Sequence, residues 1–204
     1  MENKNIVILG AAESGTGAAV LAKVRGMDVF VSDNSKISPD YKQLLDKYEI
    51  RYEQGGHSDK IFNAELVIKS PGIPDHVPVI RVFKERSIPI ISDIEFASWF
   101  TESKLICVTG SNGKTTTASL IYHILKTSGI NAALVGNVGQ SFAYHVAVGA
   151  PVDYYVLEIS SFQLDTMFSF KADIAILTNI TPDHLDRYNN GFQAYINSKF
   201  RIIN

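Results

Sequence analysis

A glycine-rich loop between a strand-like run and a helix-like run is the feature that most constrains the fold. Apolar residues 105–108 lead directly into TGSNGKTTT at 109–117, and apolar residues then recur at helical spacing. In such a segment the backbone N–H groups turn inward around phosphate oxygens, and the helix start adds a favourable dipole. The segment therefore predicts a phosphate site between a parallel strand and a helix.

Two side chains in this loop have direct phosphate chemistry. Lys114 would neutralise charge on the β- and γ-phosphates of ATP, and the Thr115 hydroxyl would hold Mg²⁺. The common loop form is GxxxxGK[ST], but Val108 stands five residues before Gly113, so this is the shorter GxxGK[ST] type. An ordinary glycine turn that caps a helix is the alternative. The predicted ATP-binding residues are Gly110, Ser111, Asn112, Gly113, Lys114, Thr115 and Thr116.

Strand-like runs alternate with helix-period segments along almost the whole chain, which predicts α/β structure with parallel sheets and helices on both faces. The pattern turns polar at 101–104, which indicates a domain junction. We therefore predict a Rossmann-like parallel-sheet domain at 1–100, followed by a P-loop-containing α/β domain at 101–204. Because the second domain is thin for an open sheet, we expect a truncated fragment.

The composition of the chain argues against several classes of protein. The chain is 46% apolar and 20% charged with net charge -2, so no basic excess favours nucleic acid. One cysteine, Cys107, excludes an internal disulfide framework. No signal peptide or run long enough to span a membrane is present, and we expect a cytoplasmic protein with no membrane partner.

A second group of polar residues follows two later strand-like runs. Glu158 ends an apolar run, and the carboxyl edge of a parallel sheet is where such folds bind ligands. With Thr115 it is a natural Mg²⁺ partner. The segment 179–187 adds an amide, two acids, an arginine and His184 in one loop. A capped helix start is the alternative interpretation of that loop, and both can hold together.

A third group lies near the N-terminus. Residues 10–17, GAAESGTG, follow a strand-like run, and Asp33 ends the next one. The arrangement is like a dinucleotide fingerprint, but Ala12 stands where the second glycine belongs. It favours a diphosphate at a helix N-terminus over NAD, with a purely structural turn as the alternative. Cys107 is expected in the core, and His57 is expected to be a loop residue.

These residues resemble the Mur ligase family of peptidoglycan synthesis over the whole chain. The matching segments are TGSNGKTTT (109–117), GNVG (136–139), LEISSFQLD (157–165), NITPDHLDRY (179–188) and YINSK (195–199). The match is specific over 110–199 and looser over the first 100 residues. Within the family, the members that add D-glutamate are favoured by three segments: SSFQL, the N-terminal glycine loop and SPGIP (70–74). The phosphate loop alone is shared with folylpolyglutamate synthetases.

The resemblance implies an ATP-dependent ligase with ATP and Mg²⁺ as cofactors. ATP would phosphorylate the carboxylate of UDP-N-acetylmuramoyl-L-alanine, and the amine of D-glutamate would attack the acyl phosphate. The implied catalytic residues are Lys114, Glu158, His184 and Lys199, and the implied metal-binding residues are Thr115, Glu158, His184 and Lys199. The implied substrate-binding residues are Ser14, Gly15, Thr16, Gly17, Asp33, Ser70, Asn137 and Ser160.

Further expectations come with the resemblance. Lys199 corresponds to the family lysine that becomes carbamylated, whereas a solvated helix lysine is the alternative from the residues alone. Family members carry a third, C-terminal domain, so we expect this chain by itself to be inactive, and we expect a monomer. A related ligase with another substrate, or a nucleotide-binding module without ligase activity, are the alternative functions.

Overall fold

The computed structural model describes residues 4–188 and 191–203 of the chain. It separates into two compact units, one of Met1–Trp99 with Phe142–Gly149 and the other of Phe100–Ser141 with Ala150–Asn204. The sequence-based division placed 142–149 in the second domain, whereas the structure groups this segment with the first unit.

The first unit is built on a five-stranded parallel sheet with the order β3-β2-β1-β4-β5. The strands are β1 (Asn5–Leu9), β2 (Asp28–Asp33), β3 (Arg51–Gln54), β4 (Leu66–Lys69) and β5 (Ile90–Ser92). The helices are α1 (Glu13–Val24), α2 (Pro39–Lys47), α3 (Pro78–Glu85), α4 (Asp93–Ser98) and α6 (Phe142–Val148), numbered by their order in the whole chain. A short 3₁₀ turn, Asp59–Asn63, links β3 to β4.

Local sequence explains two of these helix starts. Ser38 accepts a hydrogen bond from the Tyr41 N–H ahead of Pro39, and Ser92 accepts one from the Glu95 N–H. Serine at the N-cap satisfies a helix N–H group that would otherwise lack a partner. On one face of the sheet, β1 and β4 pack apolar side chains against α3. This core contains Val7, Leu9, Val67, Ile80 and Phe83.

The second unit is built on a four-stranded parallel sheet with the order β7-β8-β6-β9. The strands are β6 (Lys104–Thr109), β7 (Ala132–Gly136), β8 (Tyr154–Glu158) and β9 (Ile174–Leu177). The helices are α5 (Lys114–Thr127), α7 (Ser161–Leu164) and α8 (Phe192–Phe200), with 3₁₀ turns at Leu185–Tyr188 and Arg201–Ile203. Val108, Ala118 and Val156 form the core under α5.

The predicted α/β class with parallel sheets is confirmed, but several elements differ from the sequence pattern. Strand β3 was not predicted, because Arg51–Gln54 is a polar edge strand without a buried face. The short helices α4 and α6 were also missed. Along α5, Leu120 and Ile124 are 56% and 52% exposed, so apolar spacing overstated the buried face of this helix.

Within the described ranges 4–188 and 191–203, the helices are all too short or too polar to cross a membrane.

Candidate functional site

The predicted phosphate loop connects the central strand β6 to α5, and two of its glycines have positive φ. Gly110 has φ +145° and Gly113, the N-cap of α5, has φ +81°. A Cβ atom at Gly110 would lie 2.0 Å from the Thr178 hydroxyl oxygen, so this position has no space for a side chain. The first N–H groups of an α-helix have no partner within the helix, which makes the start of α5 a favourable anion site.

Two side chains at the start of α5 are held by the loop and by the neighbouring strand. The ammonium of Lys114 donates to the carbonyl oxygens of Gly110 at 2.9 Å and Ser111 at 2.7 Å. The Thr115 hydroxyl donates to Glu158 Oε2 at 2.6 Å across 43 residues of sequence. Glu158 ends β8 and is only 4% exposed. The structure thus brings together two of the four residues that the sequence analysis assigned to Mg²⁺, Thr115 and Glu158.

The segment after β9 is hydrogen-bonded to the phosphate loop at several points. The sequence did not predict these bonds. The Asn179 side chain accepts from the Asn112 N–H at 3.0 Å and donates to the Asn112 carbonyl at 2.9 Å. The Thr178 hydroxyl donates to the same carbonyl at 2.7 Å. The Ser111 hydroxyl donates to the Thr181 carbonyl at 2.8 Å. The only sequence signal was that these polar residues directly follow a strand.

Lys199 lies beneath the loop rather than in solvent. It is 2% exposed, and its ammonium donates to the Gly110 carbonyl at 2.9 Å and to the Thr109 hydroxyl at 3.2 Å. Burial, reinforced by the nearby charge of Lys114, lowers the pKa of Lys199 to about 8. The alternative of a solvated helix lysine is therefore wrong. On the preceding turn of α8, the Tyr195 hydroxyl lies 2.9 Å from the Ser111 hydroxyl.

His184 occupies a more open position. It has a left-handed backbone with φ +50°, and its side chain is 59% exposed. Its Nε2 lies 3.6 Å from Asp183 Oδ2, and its ring meets Phe162 edge-on with centroids 5.5 Å apart. The structure does not pair His184 directly with Glu158. Among the residues that the structure describes, no group of three or more His, Cys, Asp or Glu side chains is arranged to hold a metal ion.

Asn137 and Ser160 flank the end of β8. The Asn137 N–H donates to the Glu158 carbonyl at 2.9 Å. Ser160 forms a reciprocal capping box with Gln163 at the start of α7. Both predicted substrate-binding residues therefore lie at the sheet edge that carries Glu158, and Ser160 also stabilises the local helix start.

The glycine loop of the first unit is shaped by contacts with the ends of β2 and β4. Gly10 has φ +89°, and its carbonyl accepts from the Ser70 hydroxyl at 3.4 Å. Asp33 Oδ2 accepts from the Ala11 N–H at 2.7 Å, so Asp33 supports this loop. A Cβ atom at Gly15 would lie 1.9 Å from the Gly10 carbonyl oxygen, which requires glycine there.

The predicted substrate-binding residues on α1 differ in exposure. Gly15, Thr16 and Gly17 are buried, and the Thr16 hydroxyl donates to the Ala12 carbonyl at 2.8 Å. Ser14 is half-buried. The Thr16 hydroxyl therefore makes its hydrogen bond inside the loop. Among these predicted residues, Ser14 is the one that is partly exposed to solvent.

The structure also shows the surroundings of Cys107 and His57, for which no catalytic role is predicted. Cys107 is fully buried in β6, and burial raises the pKa of its thiol, which confirms the expected core role. His57 follows β3, and its Nδ1 lies 2.7 Å from the Ser32 hydroxyl oxygen. It is thus a loop residue with a specific buried partner.

The fold and the loop define a P-loop-containing α/β protein with two parallel sheets. Residues 108–204 match the family model of the Mur ligase middle domain, and residues 5–79 match that of the MurD N-terminal domain. The chain belongs to the Mur ligase family.

Curated relatives share high identity with almost the whole chain. It is 60% identical over 200 residues to a UDP-N-acetylmuramoylalanine--D-glutamate ligase of Bacteroides fragilis, covering 98% of this chain and 45% of that protein. Proteins of the same name from Christiangramia forsetii and Cytophaga hutchinsonii are 56% and 51% identical, at the same coverage. The chain thus spans less than half the length of these relatives.

Solved structures show the same fold at low identity. A Neisseria meningitidis UDP-N-acetylmuramate:L-alanyl-gamma-D-glutamyl-meso-diaminopimelate ligase matches with a TM-score of 0.64 and 22% identity, covering 99% of this chain and 69% of that one. A Thermotoga maritima UDP-N-acetylmuramate-alanine ligase matches with a TM-score of 0.61 and 24% identity, covering 98% of this chain and 47% of that one.

Proposed function

We propose that the protein is an ATP-dependent amide ligase that adds D-glutamate to UDP-N-acetylmuramoyl-L-alanine. The main observation behind this proposal is the hydrogen bond between Thr115 and Glu158 at the start of α5, directly beside Lys114. It places a hydroxyl, a carboxylate and an ammonium at one helix N-terminus, as phosphoryl transfer requires. The names of the relatives at 51–60% identity support the choice of substrates.

In this proposal, a carboxylate oxygen of the muramoyl substrate attacks the γ-phosphorus of ATP, and ADP leaves. The amine of D-glutamate then attacks the acyl carbon, loses a proton and displaces phosphate. Both steps bring anions together. Lys114, now bonded to the loop carbonyls of Gly110 and Ser111, would exchange these partners for phosphate oxygens and offset the repulsion.

The donor set at Thr115 and Glu158 fits Mg²⁺, because a hydroxyl and a carboxylate supply the hard oxygen ligands that this ion prefers. When bound there, Mg²⁺ would offset charge on the β- and γ-phosphates. Thr115 would then turn its hydroxyl hydrogen away from Glu158. His184, exposed at the same sheet edge, and Glu158 are proposed to serve a second ion near the acyl carboxylate.

We also propose that Lys199 is carbamylated. Its pKa of about 8, lowered from 10.5, leaves a larger fraction of neutral amine than an ordinary lysine has, and the neutral amine is the form that adds to CO₂. The nitrogen forms a bond to the carbon of CO₂ and releases a proton. The resulting carbamate has two anionic oxygens, whereas an ammonium cannot bind a cation.

The first unit is proposed to hold the UDP portion of the substrate. The start of α1 offers backbone N–H groups to the diphosphate, and Ser14, Asp33 and Ser70 border the glycine loop that precedes it. Asn137 and Ser160 are proposed to contact the muramoyl portion near Glu158. We further propose a cytoplasmic monomer.

The test is amide formation by the full-length protein. With ATP, Mg²⁺, UDP-N-acetylmuramoyl-L-alanine and D-glutamate, we expect one ADP, one phosphate and one amide per turnover. Omitting either the muramoyl substrate or D-glutamate should stop phosphate release. Preference for a UDP-N-acetylmuramoyl dipeptide would instead indicate a different ligation step, and ATP binding without any ligation would indicate a nucleotide-binding module.

A further inference from the structure

A partly buried polar cluster joins the ends of β2 and β3, and we call Ser32, Glu53 and His57 the Ser32 cluster. The Ser32 side chain is fully buried. Its hydroxyl oxygen lies 2.7 Å from Glu53 Oε1 and 2.7 Å from His57 Nδ1. Glu53 Oε1 also accepts from the Ser58 N–H at 2.9 Å, which fixes the turn that carries His57.

The hydrogen-bond donors in this cluster can be assigned from the charge of Glu53. Burial acts to raise the pKa of Glu53, but hydrogen bonds from Ser58 and Ser32 outweigh burial and lower it below the usual value. Glu53 is therefore ionised at neutral pH and only accepts. Since Ser32 has one proton and donates it to Glu53, His57 must donate its Nδ1–H to Ser32.

Hydrogen bonds to Ser32 and its neighbour Asp33 connect the cluster to the N-terminal glycine loop. The Ser32 carbonyl accepts from the Gly10 N–H at 2.9 Å. The next residue, Asp33, accepts from the Ala11 N–H at 2.7 Å and from the Ser35 N–H at 2.7 Å. Any rotation at the end of β2 would therefore move the backbone of the glycine loop at Gly10 and Ala11, which leads into α1.

We propose that the Ser32 cluster positions the glycine loop for the UDP portion of the substrate, with His57 as a positioning residue. The inference rests on the proposed function. In the described part of the chain, the His57 side chain is linked to the loop through its hydrogen bond with Ser32, so His57 acts as a positioning residue and not as a catalytic one. The cluster holds Gly10 and Asp33 in the binding geometry before the ligand arrives, which lowers the ordering cost of binding.

The test compares two substitutions of His57 in the full-length protein. His57→Leu removes the donor to Ser32, whereas His57→Asn keeps an amide N–H close to the former position of Nδ1. We expect His57→Leu to raise KM for the UDP substrate about five- to tenfold, the effect of one lost hydrogen bond. We expect His57→Asn to restore most of the loss, with kcat and the KM for ATP unchanged in both variants.

His123→Leu is the matched control, because His123 is an exposed histidine on α5 and is not part of the proposed site. It should leave all kinetic constants at wild-type values. Glu53→Gln, which keeps the side-chain shape and removes the charge, gives an independent second variant and should also raise KM for the UDP substrate.

The results separate this inference from the proposed function. If wild-type protein ligates and His57→Leu lowers only the melting temperature, with KM for the UDP substrate unchanged, the positioning role is wrong. If KM for ATP rises equally, the effect is not specific to the glycine loop and the proposal is also overturned. Absence of ligation by the wild type would reject the proposed function, and unchanged binding of plain UDP to His57→Leu would then reject the positioning role.

Discussion

Lys114 and Lys199 donate to the same carbonyl oxygen, that of Gly110, each at 2.9 Å. The two lysines come from opposite ends of the second unit's sequence, one at the start of α5 and the other in α8. Their proximity places two positive charges at the base of the phosphate loop. Together with burial, this repulsion lowers the pKa of Lys199. The packing at the base of the phosphate loop thus makes the Lys199 ammonium easier to deprotonate than that of an ordinary lysine.

The first prediction concerns Lys114. Lys114→Ala in the full-length protein should abolish amide formation, because it removes the ammonium that is proposed to offset charge on the transferred phosphate. Phosphate release and amide product are the measurements. Lys126→Ala, at an exposed position in the last turn of the same helix, is the control and should retain activity. Amide formation by Lys114→Ala at the wild-type rate would contradict the phosphate-loop assignment.

The second prediction concerns the metal ligands. Thr115→Val removes the hydroxyl that bonds Glu158, while Thr115→Ser keeps it. We expect the Mg²⁺ concentration for half-maximal activity to rise about 10- to 100-fold in Thr115→Val, the range for losing a metal-site contact. Thr115→Ser should stay near the wild-type value. Equal Mg²⁺ requirements in the two variants would remove Thr115 from the metal site.

The third prediction follows from the pKa of Lys199. Since that pKa is lowered to about 8, the amine is mostly protonated below pH 8 and increasingly neutral above it. At constant dissolved CO₂, the carbamate signal in ¹³C NMR should therefore rise between pH 7 and pH 9. The signal should be absent in Lys199→Ala and retained in Lys126→Ala. A signal that does not depend on residue 199 would refute carbamylation at this position.

The same pKa shift makes a stability prediction with a defined sign. The unfolded chain holds the Lys199 proton up to about pH 10.5, whereas the folded chain releases it near pH 8. Between these values the unfolded state binds more protons, so this residue makes the free energy of unfolding rise with pH. Lys199→Met should reduce that rise when denaturant unfolding is measured at pH 8 and pH 10. An unchanged slope would mean that Lys199 is solvated.

The fifth prediction compares two glycines in the phosphate loop. Gly110→Ala puts a Cβ atom against Thr178, whereas nothing lies within 4 Å of a Cβ atom at Gly113. Gly113→Ala should cost about 1–2 kcal/mol of stability for its left-handed backbone alone, and Gly110→Ala should cost more. Thermal unfolding measures the difference. Comparable losses in the two variants would show that the contact with Thr178 does not constrain the loop.

Local sequence was enough for the features that depend on neighbouring residues. Residues within one short segment determine the strand that ends at Thr109, the positive φ angles of Gly110 and Gly113, and the helix that begins at Lys114. The alternation of strands and helices likewise predicted the parallel α/β class. For the same reason, the roles proposed for Lys114 and Thr115 could be stated before the structure was known.

Tertiary structure decided the features that join distant parts of the chain. The Thr115–Glu158 bond depends on the pairing of β6 with β8, and the shared carbonyl of Gly110 depends on the packing of α8. The position of β3 at a sheet edge and the grouping of α6 with the first unit are decided in the same way. Contacts of this kind are selected by the packing of whole elements, and no local pattern of residues specifies them. The phosphate loop was therefore readable from sequence alone, while burial of Lys199 beneath it and the partner of His57 appeared only once the chain was folded.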